Sequence, residues 1–412
     1  MSHPGAKIGK LRRWHFIKAV FSLGCTAFGG PQMHIPLFVK KLVTEKNFCD
    51  KNTLLDINAF CSILPGPSTT QTITALGFKL GGPRLAFQAL LAWLLPGAIV
   101  LTILTVSPRF LANHHLRFMQ PMVAAFMCFA VYKMAKLISK GALNYTIFAL
   151  SGLLSFLFHS PLIFPIGIIA GGFLSANFGN RKFIPNAKPL GKIKLVNLTL
   201  YFTIFVTVGV IGLLLSQNEK LLGVARPLVL FENCYRMGSL AFGGGNTLAA
   251  MAVDQYVYHK PRMTLDELNI GLGLIQGMPG PNFNIGIYLS GISMKNLQYG
   301  LDGQLIGCFL GLVGIFLPGT LLIFFAYPFW DRLQTYPIIQ RSLDGIFAAS
   351  TGFILGAALI LSHYFWLSHL HPNLDWQYYF IFIFSLLALL SARISSPLIV
   401  IGTILAGVFL PL

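Results

Sequence analysis

A proline-glycine-proline motif occurs twice inside long apolar stretches, and it limits how the chain can fold more than any other feature. The two copies are Leu64-Pro65-Gly66-Pro67 and Met278-Pro279-Gly280-Pro281. Proline lacks a backbone N–H and its ring clashes with the preceding turn, so an α-helix cannot run smoothly through either place. Irregular backbone at membrane depth is tolerated only where protein or a water-filled cavity covers it. We therefore predict two interrupted helices that lie inside the protein and face polar surroundings.

A glycine-rich segment precedes each proline motif at the same distance. These two segments, called the glycine knots below, are Phe28-Gly29-Gly30-Pro31 and Phe242-Gly243-Gly244-Gly245. The offset between copies is 278 − 64 = 214 for the proline motifs and 242 − 28 = 214 for the knots. A third pair follows in the same order, Leu95-Pro96-Gly97 and Leu317-Pro318-Gly319, with an offset of 317 − 95 = 222. The chain is therefore a tandem repeat, and each knot is expected to break its helix or pack it tightly.

Composition indicates a membrane protein. Hydrophobic residues make up 55% of the 412 residues and charged residues 10%, with a mean hydropathy of +0.70, whereas soluble domains carry about 25% charged residues. We predict an all-α, polytopic membrane protein. At roughly 20 residues per span, the apolar runs predict about 13 spans, at 16–38, 53–78, 85–106, 118–138, 142–158, 162–178, 196–216, 228–250, 268–292, 303–327, 342–362, 377–391 and 395–411.

The net charge of +18 lies mainly in short loops between these runs, where it sets orientation. The asymmetry predicts a cytoplasmic N-terminus in a multi-pass protein of the plasma (inner) membrane. The lysine-rich segment 40–51 is an exception that a re-entrant first span would explain. We expect a basic tail at 1–15, a first transporter repeat at 16–178, a basic linker and inverting span at 179–227, and a second repeat at 228–412. An odd number of crossings between the repeats predicts inverted topology, with substrate near the midplane.

Polar side chains follow both proline motifs. They are Ser68, Thr69, Thr70 and Gln71 in the first half, and Asn282 and Asn284 in the second. A helix that begins at such a place presents unpaired N–H groups and the positive end of its dipole, which suits an anion. These side chains are candidate substrate contacts, and helix capping is a compatible role. Gln32, His34 and Asn246, next to the knots, are candidates for the same pocket.

Arg236 is a cation that we place well inside a predicted span. Charge at that depth is costly and points to function, and a guanidinium can hold an oxyanion through two hydrogen bonds. The alternative is a structural pair with Glu232, one turn earlier on the same helix face. Glu232 is itself a candidate proton-coupling group.

The sequence offers no sign of a cofactor or catalytic centre. The loop at 363–376 holds His363, His369, His371 and Asp375, which we interpret as a solvated interfacial loop rather than a metal site. The six cysteines show no metal-ligand spacing, and no zinc-protease, serine-hydrolase, nucleotide-binding or dinucleotide motif occurs. We therefore expect no enzyme activity and no ATP-driven pump. Transport would draw on ion gradients or on the membrane potential.

The glycine knots with His34, and the proline motifs with Gln71, closely resemble the paired motifs of the chromate ion transporter family in its long, two-repeat form. The resemblance implies a secondary transporter that exports chromate, a tetrahedral dianion shaped like sulfate, and so confers chromate resistance. Members often carry a basic residue six positions before the phenylalanine of the first knot. Here that position is Ser22, whereas the second half retains Arg236.

Several alternatives stay open at this stage. Within transport they are a sulfate or other oxyanion importer or exchanger, and a passive anion channel. From another class, an intramembrane enzyme is conceivable, although no catalytic constellation supports it. The expected partners are a small oxyanion and the lipid bilayer, with no nucleic acid, and homodimer formation is left open.

Overall fold

The computed structural model describes residues 10–29, 31–107, 114–179, 196–216, 219–242, 244–327, 337–368 and 376–410. This part of the chain is helical, which confirms the all-α prediction. Its helices are α1 (Lys10–Thr26), α2 (Pro31–Phe38), α3 (Lys51–Ile63), α4 (Ser68–Gly81), α5 (Pro83–Val106), α6 (Met119–Ala135), α7 (Ala142–Leu157), α8 (Ile163–Phe178), α9 (Val196–Ser216), α10 (Glu219–Leu240), α11 (Gly245–Ala252), α12 (Leu265–Gly277), α13 (Ile285–Asn296), α14 (Gly300–Ala326), α15 (Pro337–Ser368), α16 (Trp376–Ser391) and α17 (Ser396–Phe409).

Within the described residues, three helices are long and apolar enough to cross a membrane: Pro83–Val106, Gly300–Phe325 and Arg341–His363. Shorter apolar helices accompany them, at Met119–Ala135, Ala142–Leu157, Ile163–Phe178, Thr199–Ile211, Trp376–Ser391 and Ser396–Phe409. The polytopic character is as predicted, and the count of 13 spans stays a prediction.

The chain divides into two compact units. The first comprises 1–106, 189–245 and 278–332, and the second 107–188, 246–277 and 333–412. Each unit draws on both halves of the sequence, so the two repeats are interleaved within each unit.

In the first unit, the apolar run predicted as one span at 16–38 is a helical hairpin. After α1 ends, α2 and the π-helix Val39–Glu45 lead the chain back toward its start. The Arg12 guanidinium donates to the Asn47 carbonyl at 2.7 Å, and the Phe16 and Phe48 rings meet edge to face at 5.2 Å. Because the chain returns, the lysine-rich segment lies on the same side of this unit as the start of α1.

The second run, predicted as one span at 53–78, is also a hairpin. The Lys79 ammonium donates to the Thr53 hydroxyl at 3.5 Å, and the Thr72 hydroxyl donates to the Asn58 side chain at 3.3 Å. These contacts make α3 and α4 antiparallel neighbours. The prediction of a single interrupted crossing is therefore wrong for this segment: the proline motif is the tip of a hairpin.

Helix α4 relates the two repeats through its opposite sides. Against α5 it is antiparallel. The Trp93 indole donates to the Thr70 hydroxyl at 3.1 Å, and Gly77, seven residues further along α4, lies against Ala86, seven residues earlier in α5.

Against α14 the same helix is parallel. Gln71 lies beside Gly319, and Phe78, further along α4, meets Phe324, further along α14. Helices α5 and α14 occupy equivalent places in the two repeats, and these contacts make them antiparallel. The repeats are therefore inverted with respect to each other, as the fold prediction requires.

Helix α13, the counterpart of α4, supports the same conclusion. Asn284 lies beside Gly97, and Gly291 lies beside Thr105. Thus α13 runs parallel to α5 of the other repeat, just as α4 runs parallel to α14.

In the second unit, the long helix α15 packs against α6, α7 and α8. Close approach depends on small residues: Gly345 lies against the backbone of Gly171, and Gly352 against Phe148 and Ser151. At one end of this packing, the Ser139 hydroxyl donates to the Asp344 carboxylate at 2.7 Å.

Two features recur at equivalent positions of the repeats and show how closely the halves match. The π-helix Val39–Glu45 has its counterpart in the π-helix Val253–His259, offset by 253 − 39 = 214. Seven-residue π-helices are rare and tend to occur at functional sites.

The second recurring feature is a helix cap. Asp50 accepts from the Thr53 N–H at 2.8 Å at the start of α3. At the equivalent position before α12, Thr264 and Glu267 exchange backbone-to-side-chain hydrogen bonds of 2.9 and 3.1 Å, which is a capping box.

Thr264→Ala removes one side of this capping box, and we expect it to lower the free energy of unfolding by about 1 kcal/mol. The shift in the denaturant midpoint of the purified protein measures the effect. Thr264→Ser keeps the hydroxyl and is the control, so an equal loss in both variants would contradict the capping role.

Candidate functional site

The first proline motif is a tight turn between α3 and α4. Proline on both sides of Gly66 prevents either helix from continuing. Gly66 has φ +116°, a conformation that L side chains rarely adopt. Its N–H donates to the carbonyl of Ala241 at 2.8 Å. The motif of the first half is thus held by the residue that precedes Phe242 in the knot of the second half.

The second proline motif mirrors this arrangement. Gly280 has φ +92°, and its N–H donates to the carbonyl of Ala27 at 2.9 Å. Both partners are equivalent in the repeat, since 280 − 66 = 214 and 241 − 27 = 214. Two reciprocal hydrogen bonds between equivalent residues give the centre of the first unit an approximate two-fold symmetry.

The glycines of the third motif pair let these segments approach. A Cβ atom on Gly97 would lie 2.5 Å from the Pro279 carbonyl oxygen. A Cβ atom on Gly319 would lie 3.1 Å from the Gln71 amide nitrogen and equally close to Pro67. Each proline motif therefore packs against the long helix of the other repeat, more tightly at Gly97 than at Gly319.

The amino ends of two half-helices lie against successive turns of α5, where Trp93 contacts Thr70 and Gly97 lies against Asn284. Helix α4 begins at Ser68, directly after Pro67, and α13 begins at Ile285, after a 3-10 turn over 282–284. The two helices run in opposite directions away from the proline motifs. Their first N–H groups have no partner within the helix, and both dipoles present positive ends to the same region. The arrangement suits a bound anion.

Gln71 supports the broken backbone directly. Its amide nitrogen donates to the Pro65 carbonyl at 2.8 Å and to the Gly319 carbonyl at 3.3 Å. Gln71, predicted as a substrate contact, therefore has a structural role. It donates to the Pro65 carbonyl, which has no partner within α3.

His34 lies fully buried at the same centre. Its Nδ1 atom is 3.4 Å from the Thr69 hydroxyl, and its ring meets the Trp93 indole edge to face at 5.2 Å. The Nε2 atom makes no hydrogen bond within the described part of the chain. If Nδ1 accepts from Thr69, Nε2 carries the proton and is a donor that a ligand can use.

Asn284 is the equivalent of Thr70, since 284 − 70 = 214, and it is likewise buried. Its Oδ1 atom has no hydrogen-bond partner among the described residues, and neither does Oε1 of Gln71. Such groups are rarely left unpaired in a protein interior. Their position beside the two amino ends indicates a place where water or a ligand completes the hydrogen bonds. The neighbouring Asn282 is half-buried and packs against Gly245.

Arg236 and Glu232 form the ion pair that the sequence offered as the structural alternative. The distance from Arg236 Nε to Glu232 Oε1 is 2.8 Å, and a second nitrogen donates to the Asn233 side chain at 3.1 Å. The arginine side chain is 25% exposed, so the pairing leaves part of the guanidinium accessible. Arg236 lies in the last turns of α10, shortly before the Ala241 carbonyl that holds the first proline motif.

Some predicted site residues are not part of this centre. Asn246 belongs to the second unit. Gly30, Gly243 and the side chains of Pro31 and Gln32 lie outside the described residues. Helix α1 ends before Gly29, which has φ +86°, and α11 begins at Gly245 after Gly244, which has φ +96°.

Trp93 was missed by the sequence analysis. It is fully buried and contacts Thr70, His34 and Phe38. A usable signal was its place three residues before Pro96 in the third motif pair.

The chain is similar to known proteins that are named as transporters. An uncharacterized transporter of Methanocaldococcus jannaschii is 24% identical over 380 residues, which cover 87% of this chain and 89% of that protein. The chromate transport protein of Pseudomonas aeruginosa is 24% identical, over 82% of this chain and 78% of its own length. No solved structure matches.

A third relative is shorter. The uncharacterized transporter YwrB of Bacillus subtilis is 27% identical over 165 residues, which are 84% of that protein but 38% of this chain. It is therefore about as long as one repeat.

The model of the chromate transporter family matches twice, over residues 14–176 and 228–408. Both matched segments contain a glycine knot, a proline motif and the third motif. The protein is therefore an integral membrane transport protein that belongs to the chromate transporter family.

Proposed function

We propose that this protein is a secondary transporter that exports chromate or a similar tetrahedral oxyanion from the cytosol. It would lie in the plasma (inner) membrane with its N-terminus on the cytoplasmic side. The observation that carries the proposal is the meeting of two half-helix amino ends in the first unit. Two positive dipole ends and their unpaired N–H groups match the charge and the several acceptor oxygens of a dianion. The name of the Pseudomonas aeruginosa relative supports chromate as the substrate.

The side chains around these ends supply further contacts. His34 offers a buried nitrogen that has no hydrogen-bond partner among the described residues, and Ser68, Thr69 and Thr70 bring hydroxyl groups to the start of α4. Arg236 adds a guanidinium, which binds tetrahedral oxyanions well. The position equivalent to Arg236 in the first half is Ser22, which carries no charge. We therefore expect the second half to supply the side-chain cation of the site.

Electrostatics supports the proposed direction of transport. Moving a charge across the membrane changes its energy by about 2.3 kcal/mol per 100 mV. A cell interior is negative, so the potential favours the exit of a dianion. Export therefore needs no ATP.

The test is uptake of labelled chromate and labelled sulfate into everted membrane vesicles with a controlled potential. We expect saturable chromate uptake that an interior-positive potential increases. Faster transport of sulfate would support the sulfate importer or exchanger, and flux that does not saturate would support a channel. Chemical conversion of the anion would support an enzyme.

Pro65→Ala is the matching structural test. Alanine lets α3 continue past its present end, which pulls the Gly66 N–H away from Ala241, and we expect the loss of most chromate flux with normal insertion. Pro83→Ala is the control, because Pro83 is an exposed first residue of α5, where the missing N–H costs nothing. Equal flux in the two variants would contradict the proposed site.

A further inference from the structure

The second unit contains a carboxylate that the proposed anion site does not use. Asp254 lies in the π-helix Val253–His259 and is fully buried. The titratable group next to it is His159, in the connection between α7 and α8, with 3.5 Å between Nδ1 of the ring and the Oδ1 atom.

This carboxylate is poorly satisfied. Neither of its oxygens makes a hydrogen bond within the described part of the chain, and the same holds for Nδ1 of His159. A separation of 3.5 Å exceeds the usual length of an N–H···O bond. A buried ionised carboxylate without donors is costly, and proteins usually respond by neutralising it. Binding a proton is the simplest way to remove that cost.

The histidine connects the carboxylate to the surface. Its side chain is 34% exposed, whereas that of Asp254 is 0% exposed. The imidazole stacks on the Tyr258 ring with centroids 4.1 Å apart and planes 12° from parallel, and Tyr258 is itself exposed. The stack keeps the ring beside the carboxylate, so a proton from the medium can reach Asp254 through His159.

Other titratable groups lie on the elements next to this pair. On the same segment and the following turn they are Tyr256, Tyr258, His259, Lys260 and Arg262, and at the start of α12, which packs against the π-helix, they are Asp266 and Glu267. Among the described residues, His159 alone comes within ion-pair distance of Asp254.

The pair lies outside the helices that are long and apolar enough to span a membrane. Burial raises the pKa of the Asp254 carboxyl to about 7. It also lowers the pKa of the His159 imidazole. The carboxyl group therefore holds its proton below neutral pH and releases it above.

The repeat shows that the fold does not require this carboxylate. The equivalent residue of the first half is Lys40, since 254 − 40 = 214, and it is exposed. The same rare π-helix thus carries a surface cation in one repeat and a buried acid in the other. A buried acid is costly where no structural need for it exists, which points to a function.

We propose that Asp254 and His159 form a proton-binding site through which proton movement is coupled to transport. The proposal rests on the proposed transport function. It assigns the proton to a different residue from Glu232, the coupling candidate of the sequence, because Glu232 is already paired with Arg236 at 2.8 Å. The reaction is the reversible protonation of the Asp254 carboxylate, with His159 passing the proton to and from the medium.

The first test measures the proton on the protein itself. Infrared spectra of the purified protein in lipid, recorded across neutral pH, are expected to show a protonated carboxyl band that disappears as the pH rises. Asp254→Asn should remove this band, whereas Asp56→Asn, at an exposed carboxylate of α3, should leave it. A band that persists in Asp254→Asn would overturn the proposal.

The second test uses labelled chromate flux in proteoliposomes with an imposed pH gradient. We expect the wild type to respond to the gradient, and Asp254→Asn to lose that response while still carrying chromate down its own gradient. Full retention of the response in Asp254→Asn would overturn coupling at this site. Absence of any oxyanion flux in the wild type would overturn the proposed function and the coupling with it, whereas the infrared result would still decide the proton site.

Discussion

Arg236→Ala is expected to lower chromate flux at least about tenfold at low substrate concentration. A hydrogen bond between charged groups contributes about 1.5–3 kcal/mol, and each 1.4 kcal/mol corresponds to about a factor of ten in affinity. Arg236 lies one to two turns before Ala241, whose carbonyl holds the first proline motif, so one helix end carries both groups. Saturation curves in everted vesicles measure the effect, which should appear mainly in KM.

A double variant separates this role from a purely structural one. Arg236→Gln alone leaves Glu232 without its partner, whereas Glu232→Gln with Arg236→Gln removes both charges. If the arginine only neutralises the glutamate, the double variant regains wild-type flux. We expect that it stays as impaired as Arg236→Gln, because the oxyanion has lost its cation in both. Recovery in the double variant would assign the pair to the scaffold.

Gly97→Ala is expected to abolish most transport, and Gly319→Ala to be much milder, although the two glycines are equivalent in the repeat. The added methyl group would lie 2.5 Å from the Pro279 carbonyl oxygen in the first case. In the second it would lie 3.1 Å from both the Gln71 amide nitrogen and the Pro67 ring, so a smaller displacement relieves the contact. Overpacking of this kind costs about 1–3 kcal/mol where backbone must move.

The displaced backbone in Gly97→Ala belongs to the second proline motif, so the amino end of α13 moves with it. Initial rates of chromate flux, normalised to inserted protein, measure both variants. Gly209→Ala, at a helical glycine with no atom within 4 Å of the added group, is the control for helix insertion. Similar losses at Gly97 and Gly319 would contradict the difference in packing described above.

Much of this architecture could be predicted from the sequence, and the exceptions have physical causes. The offset of 214 between motifs predicts the tandem repeat, and Pro65 and Pro67 predict where a helix must stop. Proline does not specify the direction in which the next helix begins. That direction depends on contacts between residues far apart in the sequence, such as Lys79 and Thr53. Such contacts leave no periodic pattern of apolar residues that the sequence could show. The second hairpin was therefore predicted as a single crossing, whereas the lysines at 40–51 had already suggested a re-entrant first span.

The candidate site shows the same division. The polar residues after Pro67 were predicted from their place at a helix start, and they lie at the centre of the first unit. The sequence does not show that the Gln71 amide is shared between Pro65 and Gly319, because Gly319 lies in the other repeat. The unusual burial of Asp254 was also missed, since the residue lies in a polar stretch that the sequence predicts to be a loop.

The crossed hydrogen bonds from Gly66 to Ala241 and from Gly280 to Ala27 bear on how such a chain evolves. Neither half can complete its own turn, so each is selected for its fit to the other as well as for its own stability. A substitution that is harmless in one half can still disable the opposite half. Covalent fusion guarantees that the two always meet in equal numbers, and it frees them to diverge in charge, as Ser22 and Arg236 have done.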